Sequence, residues 1–345
     1  MRKAVLCAAA AFTLAACGQG SDNAGEAAST EGGEVWAAGS STVFPFATRV
    51  AENVSRTSGG QAPKVESLGT GGGIKIFCSG TGANAPDIAN ASRPMKKSEF
   101  EQCQANGVTD IVEIKIGYDG IVIAGGKEGP TFDLTPAQIY QALSASSTAR
   151  TWQEVDASLP AQKIEVYGPP PTSGTRDAFA ELALETGAKK DAELAALAKS
   201  DESAFKERAH AVRTDGGWVD SGENDNAIVQ TLSKTPGSLG VFGYSFLEQN
   251  RDAVKAASIE GVAPSIDTIS DGSYPLSRSL FIYVKKSAME QKPAVKAFVQ
   301  AFVSDAASGK GGYLQSRGLI PLPDAERAAQ KEAATQMSPM AAPAK

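Results

Sequence analysis

The stretch Gly39-Ser40-Ser41-Thr42 separates two segments with different hydrophobic patterns. Residues 35–38 before it are predicted to form a short strand, and residues 43–58 after it have the spacing of an amphipathic helix. Small hydroxyl and glycine residues at such a junction are typical of a helix start. The first turn of a helix leaves four N–H donors unpaired and carries partial positive charge, so this turn can receive an anion.

Three later stretches repeat this arrangement: Gly69-Thr70-Gly71-Gly72-Gly73, Ala91-Ser92-Arg93 and Ser173-Gly174-Thr175-Arg176. If the four turns converge, their N–H groups and hydroxyls form a cage for an oxyanion without any metal ion. A flexible surface loop is the alternative interpretation of the glycine run. That run is not a nucleotide P-loop, because Lys75 is followed by Ile76.

Strand-like and helix-like segments alternate along most of the chain. Residues 64–68 and 164–167 are predicted strands, and a helix is predicted to follow Ser173-Gly174-Thr175. This alternation predicts the α/β class, in which ligands bind outside the carboxyl ends of the strands. The four turns occupy that position.

The first sixteen residues have the features of an export signal. Arg2 and Lys3 form a basic start, residues 5–13 are apolar, and Leu14-Ala15-Ala16-Cys17 is a small-residue cleavage site. Because this order resembles a bacterial lipobox, we predict a signal peptide at 1–16, lipidation of Cys17 and a flexible linker at 17–33. An ordinary signal peptide with an incidental cysteine is the alternative. We expect a periplasmic or cell-envelope protein held by its lipid anchor.

The cysteines indicate a disulfide in that oxidising compartment. Cys7 leaves with the signal and Cys17 is used by the lipid, so Cys78 and Cys103 remain as a pair. Neither has the spacing of a metal ligand, and His210 is the only histidine in the chain. We therefore expect no metal, no cofactor and no catalytic residues.

Composition and charge limit the partners. The 345 residues are 42% apolar, which is enough for one large or two medium domains, and the formal net charge is −6. Nucleic acid is a poor candidate partner for an acidic chain. An anionic ligand remains compatible, because local N–H donors and one or two arginines set the potential inside a cleft.

Five motifs in order along the chain resemble those of the periplasmic phosphate-binding proteins that serve phosphate ABC transporters. They are Gly39-Ser40-Ser41-Thr42-Val43-Phe44-Pro45, Gly69-Thr70-Gly71-Gly72-Gly73-Ile74-Lys75, Ala91-Ser92-Arg93-Pro94, Ser173-Gly174-Thr175-Arg176-Asp177 and Phe242-Gly243-Tyr244-Ser245-Phe246. The similarity runs from about residue 35 to 322. Each motif alone is weak, whereas the ordered set is specific.

The resemblance implies a hinged binding protein of the type II-like periplasmic-binding fold, with two α/β lobes and phosphate buried between them. We place the two crossover strands near residues 117–124 and 274–284. Lobe 1 then comprises 34–120 and 277–322, lobe 2 comprises 121–276, and 323–345 is predicted to be a disordered tail. The implied partners are inorganic phosphate and the permease subunits of an ABC transporter, and a monomer is expected.

Carried over position by position, the resemblance gives a set of phosphate ligands. The hydroxyls and N–H groups of the first turn are Ser41, Thr42 and Val43; the second and third turns supply Thr70, Gly71 and Ser92; and the fourth supplies Ser173, Gly174 and Thr175. These residues are predicted to donate hydrogen bonds to the bound anion.

Two departures from the family pattern concern charged residues. Arg93 stands where well-studied members have aspartate, and Pro169 and Pro171 stand where they have an arginine and an aspartate before Ser-Gly-Thr. Arg93 and Arg176 are candidates for the missing cation, since a guanidinium grips two oxyanion oxygens at once. Arg176 as an ordinary surface residue is the alternative.

A carboxylate acceptor would favour phosphate over sulfate, because only phosphate carries a proton near neutral pH. Asp119 and Asp177 are the candidates, with a turn-stabilising aspartate and a first-turn helix acid as their respective alternatives. Glu223 and Asp225 are second-tier candidates near another helix start.

Other functions remain open from the sequence. One is a receptor for sulfate, arsenate or molybdate, which the altered charged residues make credible. A secreted phosphatase with Ser41 or Ser173 as nucleophile needs a base or a metal that the sequence does not offer. A lipoprotein that senses phosphate or mediates surface contacts without a transporter is the third.

Overall fold

The computed structural model describes residues 34–222 and 224–344. The predicted signal peptide, the linker, the lipidation site Cys17 and the second-tier candidate Glu223 lie outside the described residues.

The described residues form a mixed α/β structure, as the alternating sequence pattern predicts. Its strands are β1 (Trp36–Gly39), β2 (Lys64–Ser67), β3 (Ile88–Ala91), β4 (Ile111–Gly126), β5 (Asp133–Leu134), β6 (Val166–Gly168), β7 (Trp218–Asp220), β8 (Leu239–Gly243), β9 (Val254–Ala256), β10 (Ser258–Ile259) and β11 (Ser277–Lys285).

Helices connect most of these strands. They are α1 (Phe44–Ser58), α2 (Gly69–Phe77), α3 (Lys97–Ala105), α4 (Pro136–Leu143), α5 (Trp152–Val155), α6 (Gly174–Phe179), α7 (Glu185–Ala188), α8 (Ala192–Ser200), α9 (Glu202–His210), α10 (Asp225–Leu232), α11 (Tyr244–Gln249), α12 (Ile266–Ser270), α13 (Lys286–Gln291), α14 (Pro293–Phe302), α15 (Asp305–Ser308) and α16 (Asp324–Gln336). A π-helical turn, Ala180–Leu184, joins α6 to α7, and a 3₁₀ turn covers Gln315–Arg317.

The strand order is β2-β1-β3-β11-β4-β8-β6-β7, with β9 also paired to β4. The long strand β4 runs through both halves of this order. It pairs with β11 up to Gly120 and with β8 from Ile121 onward. Strand β4 therefore crosses between the halves, and the chain returns to the first half where β11 begins, since β11 pairs, within the described residues, only with β3 and the first part of β4. Both strands overlap the predicted crossing segments.

Each half has its own hydrophobic core. One core packs α1 and α14 against the first half of the sheet, with Phe298 and Phe302 fully buried, and a smaller cluster around Phe77 and Tyr283 covers the opposite face. The other large core surrounds Trp152 and belongs to the second half of the sheet. We call the two halves the first and the second lobe; the two-lobed α/β fold predicted from the sequence is confirmed.

The predicted disulfide between Cys78 and Cys103 is present. It joins the residue after α2 to a residue of α3, and both cysteines are buried. The bond ties together two helices of the first lobe.

The tail differs from the sequence prediction. Residues 323–345 were expected to be disordered, whereas the structure has the helix α16 there. Glu326 accepts hydrogen bonds from Lys115 Nζ (2.8 Å) and Tyr118 Oη (2.7 Å), and Ala334 is fully buried. These contacts with β4 stabilise a segment whose composition alone does not favour order. Across the described ranges, the structure contains no helix with the length and apolarity needed to cross a membrane.

Candidate oxyanion-binding cleft

A cavity of about 510 Å³ lies where the lobes and the crossover strand β4 meet. Its wall combines the first and fourth predicted turns with residues from the ends of β8 and the 3₁₀ turn. The lining residues are Ser41, Thr42, Phe44, Pro45, Phe46, Ser67, Asp119, Thr172, Ser173, Gly174, Thr175, Asp225, Gly243, Phe246, Ser316, Arg317 and Gly318.

The first turn follows β1 and leads into α1. The N–H groups of Ser41 and Thr42 have no acceptor among the described residues, and both residues line the cavity. The N–H of Val43 donates to Ser40 Oγ at 3.3 Å, and the Val43 side chain is fully buried in the core. Ser41 and Thr42 are therefore the residues of this turn that are available to a ligand.

The fourth turn supplies the opposite wall from the second lobe. Ser173 caps α6, and its Oγ accepts the N–H of Thr175 at 3.2 Å. Gly174 lies directly against the first turn, since a Cβ at this position would come within 3.0 Å of the carbonyl oxygen of Ser41. The structure thus brings two helix starts from different lobes into contact, as the converging turns predicted.

The second and third turns meet each other beside this cavity without lining it. Thr70 Oγ1 and Ser92 Oγ are 2.9 Å apart, both residues are buried, and the N–H of Ser92 donates to Thr70 Oγ1 at 3.1 Å. Neither these two residues nor Gly71 belongs to the cavity wall. Their hydroxyls hold the ends of β3 and α2 together.

The two arginines proposed as the ligand's cation have other partners. Arg93 makes a two-pronged ion pair with Glu99, at 2.9 and 2.7 Å. Arg176 is buried, donates to the carbonyl of Pro169 at 3.3 Å and stacks over the Trp218 ring at 4.3 Å. Neither arginine lines the cavity, and the partners of both guanidiniums also lie outside its wall, so the structure does not bring either arginine to the cleft.

A third arginine, Arg278 on β11, contacts two residues of the cavity wall, Thr42 and Asp119, without lining the cavity itself, whereas Arg317 of the 3₁₀ turn does line it. The Nη2 of Arg278 donates to Thr42 Oγ1 at 2.5 Å, its Nε lies 3.4 Å from Asp119 Oδ2, and its Nη1 pairs with Glu181. Only 9% of its side chain is exposed. The sequence analysis missed this residue, although its position at the start of the second crossover, opposite the first one, was a usable signal.

Asp119 faces the cavity from β4 and is Arg278's partner in the strand register. Burial raises the pKa of Asp119 above its ordinary value, and the positive charge of Arg278 opposes that rise. A carboxyl group in this position can accept a hydrogen bond from a protonated ligand.

The other candidate acids are less directly placed. Asp177 lies in the first turn of α6 and is absent from the cavity wall. Asp225 is buried, lines the cavity and accepts the N–H of Gly243 at 3.2 Å. Of the carboxylates considered from the sequence, the structure therefore brings Asp119 and Asp225 to the cleft.

Two lobes joined by β4 and β11, with hydroxyls and helix starts facing each other across a cleft, define the class of two-lobed substrate-binding proteins. Consistent with this class, residues 24–306 match the family model described as PBP superfamily domain.

Similar proteins narrow the class. The chain is 33% identical over 304 residues to Protein SphX of Synechococcus elongatus, covering 86% of this chain and 80% of the relative. It is 31% identical over 321 residues to the phosphate-binding protein PstS of Staphylococcus saprophyticus, covering 91% and 87%. The chain therefore belongs to the PBP superfamily and, within it, to the family of PstS-like phosphate-binding proteins, which confirms the resemblance inferred from the five motifs.

Solved structures of other proteins show the same fold. A possible phosphate binding protein from Planctomyces limnophilus superposes with a TM-score of 0.73 at 28% identity, covering 89% of this chain and 99% of that one. An ABC-type phosphate transport receptor from Vibrio cholerae shares the fold, with a TM-score of 0.56 at 22% identity over 84% and 100% of the two chains.

Proposed function

We propose that this chain binds inorganic phosphate between its lobes and delivers it to an ABC importer without catalysing a reaction. The observation that carries the proposal is the contact between the Ser41-Thr42 turn and the Ser173-Gly174-Thr175 turn, with Arg278 bonded to Thr42 beside the cavity. Relatives named phosphate-binding proteins support the choice of ligand.

In this proposal the predicted residues fall into three groups. Ser41, Thr42, Ser173, Gly174 and Thr175 donate hydrogen bonds to the phosphate oxygens, and Arg278 supplies the positive charge. The second group supports the first-lobe turn without touching the ligand: Val43, Thr70, Gly71 and Ser92. The third group makes no contact with the ligand: Arg93, Arg176 and Asp177.

Asp119 is the proposed acceptor of the phosphate proton. Phosphate carries a proton near neutral pH and sulfate does not. The phosphate hydroxyl can therefore donate a hydrogen bond to the Asp119 carboxylate, whereas sulfate has no proton to donate and is repelled by this carboxylate. Sites built to bond a ligand hydroxyl reject analogues without it by as much as about 10⁴ to 10⁵.

The proposal favours a receptor over a phosphatase. A phosphatase that used Ser41 or Ser173 as nucleophile would need a general base near that hydroxyl. His210, the one histidine of the chain, is bonded to Glu185 at 2.9 Å, and it does not line the cavity.

Several features of the whole protein belong to the same proposal. They are export by the signal at 1–16, anchoring through Cys17 at the cell envelope, a monomeric state, and docking on permease subunits. The lobe boundaries 34–120 with 277–322 and 121–276 are also proposed; the change of β4's partner between Gly120 and Ile121 supports them.

Calorimetric titration of the purified chain, unfolded and refolded to remove bound ligand, tests the function. We expect tight binding of phosphate and no heat with sulfate. Absence of phosphate binding by calorimetry and by thermal shift would refute the proposal and direct attention to other oxyanions.

The variant Asp119→Asn tests the acceptor. The amide oxygen is a weaker hydrogen-bond acceptor than a carboxylate and carries no charge, so we expect weaker phosphate binding and measurable sulfate binding. Asp252→Asn, at an exposed position on the second lobe, is the matched control and should behave as the wild type. Unchanged sulfate rejection in Asp119→Asn would remove Asp119 from this role.

A further inference from the structure

Glu181 connects the second lobe to the guanidinium of Arg278. It lies in the π-helical turn between α6 and α7, in the helix that begins at the Ser173-Gly174-Thr175 turn. Its carboxylate pairs with Arg278 Nη1, while Nη2 and Nε of the same guanidinium hold Thr42 and Asp119. One arginine on β11 therefore binds the first-lobe turn, the crossover β4 and the second-lobe helix together.

The negative charge of Glu181 acts on other cations as well. The pKa of Arg93, in the first lobe, is raised first by its hydrogen bond to Glu99 and to a smaller extent by Glu181. Burial lowers the pKa of Lys206, but nearby carboxylates, Glu202 foremost and Glu181 among them, raise it overall. Glu181 thus lies within the electrostatic reach of cations from both lobes and from β11.

The three nitrogens of Arg278 each have a partner already. A guanidinium holds an oxyanion best through two neighbouring nitrogens at once, so a phosphate that grips Arg278 in this way competes with these three partners for its five N–H donors. Thr42 is itself a proposed phosphate ligand, and Asp119 is 12% exposed in its side chain. Glu181 is 36% exposed and reaches Arg278 through a longer side chain, so it is the partner that can swing into solvent.

We propose that Glu181 is a built-in competitor of the ligand, which occupies Arg278 in the unliganded protein and is displaced when phosphate binds. This inference rests on the proposed function. Two carboxylate side chains, Glu181 and Asp119, contact a single arginine and compete with a bound anion for its guanidinium. Displacing Glu181 frees the guanidinium of Arg278. The direct contact between the second lobe and β11 is then replaced by contacts that both make with the ligand, so Glu181 sets how tightly phosphate is held.

Glu181→Gln tests the inference, with Glu207→Gln as the control. Glutamine removes the competing charge at nearly the same size, and Glu207 is an exposed acid on α9 of the same lobe, so both variants change the net charge equally. We expect Glu181→Gln to bind phosphate about tenfold more tightly in calorimetry, and Glu207→Gln to match the wild type. Equal or weaker binding by Glu181→Gln would overturn the proposal; far-ultraviolet circular dichroism verifies that each variant is folded.

A second measurement does not depend on phosphate. Without ligand, small-angle X-ray scattering should give a larger radius of gyration for Glu181→Gln than for the wild type, because the pair between Arg278 and the second lobe is lost. An identical radius would contradict the competitor role. If the wild type and both variants all fail to bind phosphate, the proposed function fails, and the scattering comparison still decides whether Glu181 holds the lobes together.

Discussion

Arg278 joins parts of the chain that are far apart in sequence. Its partner Thr42 is 236 positions away, and its partner Asp119 is 159 positions away. Because this single side chain supplies the positive charge proposed for the cleft, its geometry matters as much as its charge. A lysine has a compact ammonium in place of the planar fork and cannot serve three partners in the same way.

We expect Arg278→Lys to bind phosphate at least about tenfold more weakly than the wild type, since a hydrogen bond to a charged group contributes about 1.5–3 kcal/mol. Arg278→Met should bind more weakly still, because Asp119 and Glu181 then repel the anion without a counter-charge. Calorimetry measures both. Arg150→Lys, at an exposed ion pair with Asp215, is the control, and wild-type affinity in Arg278→Lys would contradict a role for the guanidinium.

At the scale of elements, β4 shows how long-range pairing changes a local pattern. The sequence predicts two strand-like runs, at 111–116 and 120–124, around Tyr118-Asp119. The structure has one strand, because β11 pairs along its first part and β8 along its second part. The continuous strand places Asp119 at the junction of the lobes, two positions before Ile121, where the pairing partner changes.

The disulfide between Cys78 and Cys103 is expected to stabilise the folded protein. Replacing both Cys78 and Cys103 by alanine should destabilise the protein by about 3 kcal/mol, since the crosslink removes the loop-closure entropy of the 25-residue separation from the unfolded chain. Urea denaturation of the double variant and of the wild type measures the difference. A reducing agent should shift the wild-type midpoint toward that of the variant and leave the variant unchanged; equal midpoints under oxidising conditions would contradict a stabilising role.

At the scale of the whole molecule, the two lobes meet at the cleft through backbone atoms. Gly174 approaches the first-lobe turn so closely that a methyl group there would lie 3.0 Å from the Ser41 carbonyl oxygen and 3.4 Å from the Thr42 Cα. The absence of a side chain at Gly174 therefore allows both helix starts to face one ligand. The second-lobe helix itself does not require glycine, because the position is at the start of α6 and alanine favours helix.

We expect Gly174→Ala to separate stability from binding. Thermal unfolding should be unchanged or slightly improved, whereas phosphate affinity should fall about tenfold because the lobes cannot close as tightly. Gly72→Ala, where a Cβ meets only an ordinary contact with Leu68 at 3.5 Å, is the control for calorimetry and melting. Wild-type affinity in Gly174→Ala would show that this close approach is unimportant for binding.

The parts that the sequence predicted correctly depend on neighbouring residues. The α/β class follows from local patterns, the family from ordered motifs, and the disulfide from the count of cysteines. Of the four turns predicted to converge, the structure brings those at Ser41-Thr42 and Ser173-Gly174-Thr175 to the cavity, and the other two do not line it. The charged residues of the cleft are different. Arg176 was a reasonable candidate because of its motif, but Trp218, on the separate strand β7, stacks against its guanidinium.

The sequence by itself determined the α/β class, because turn chemistry and hydrophobic period act over a few residues, and its ordered motifs implied the two lobes and the phosphate-binding family through their resemblance to that family. Only the tertiary structure decided that Arg278 contacts Thr42 and Asp119 at the cleft, that Glu181 pairs with the same guanidinium, and that residues 324–336 form a helix against β4. Each of these depends on contacts between residues about a hundred or more positions apart, and such contacts arise only when the strands have paired and both cores have formed.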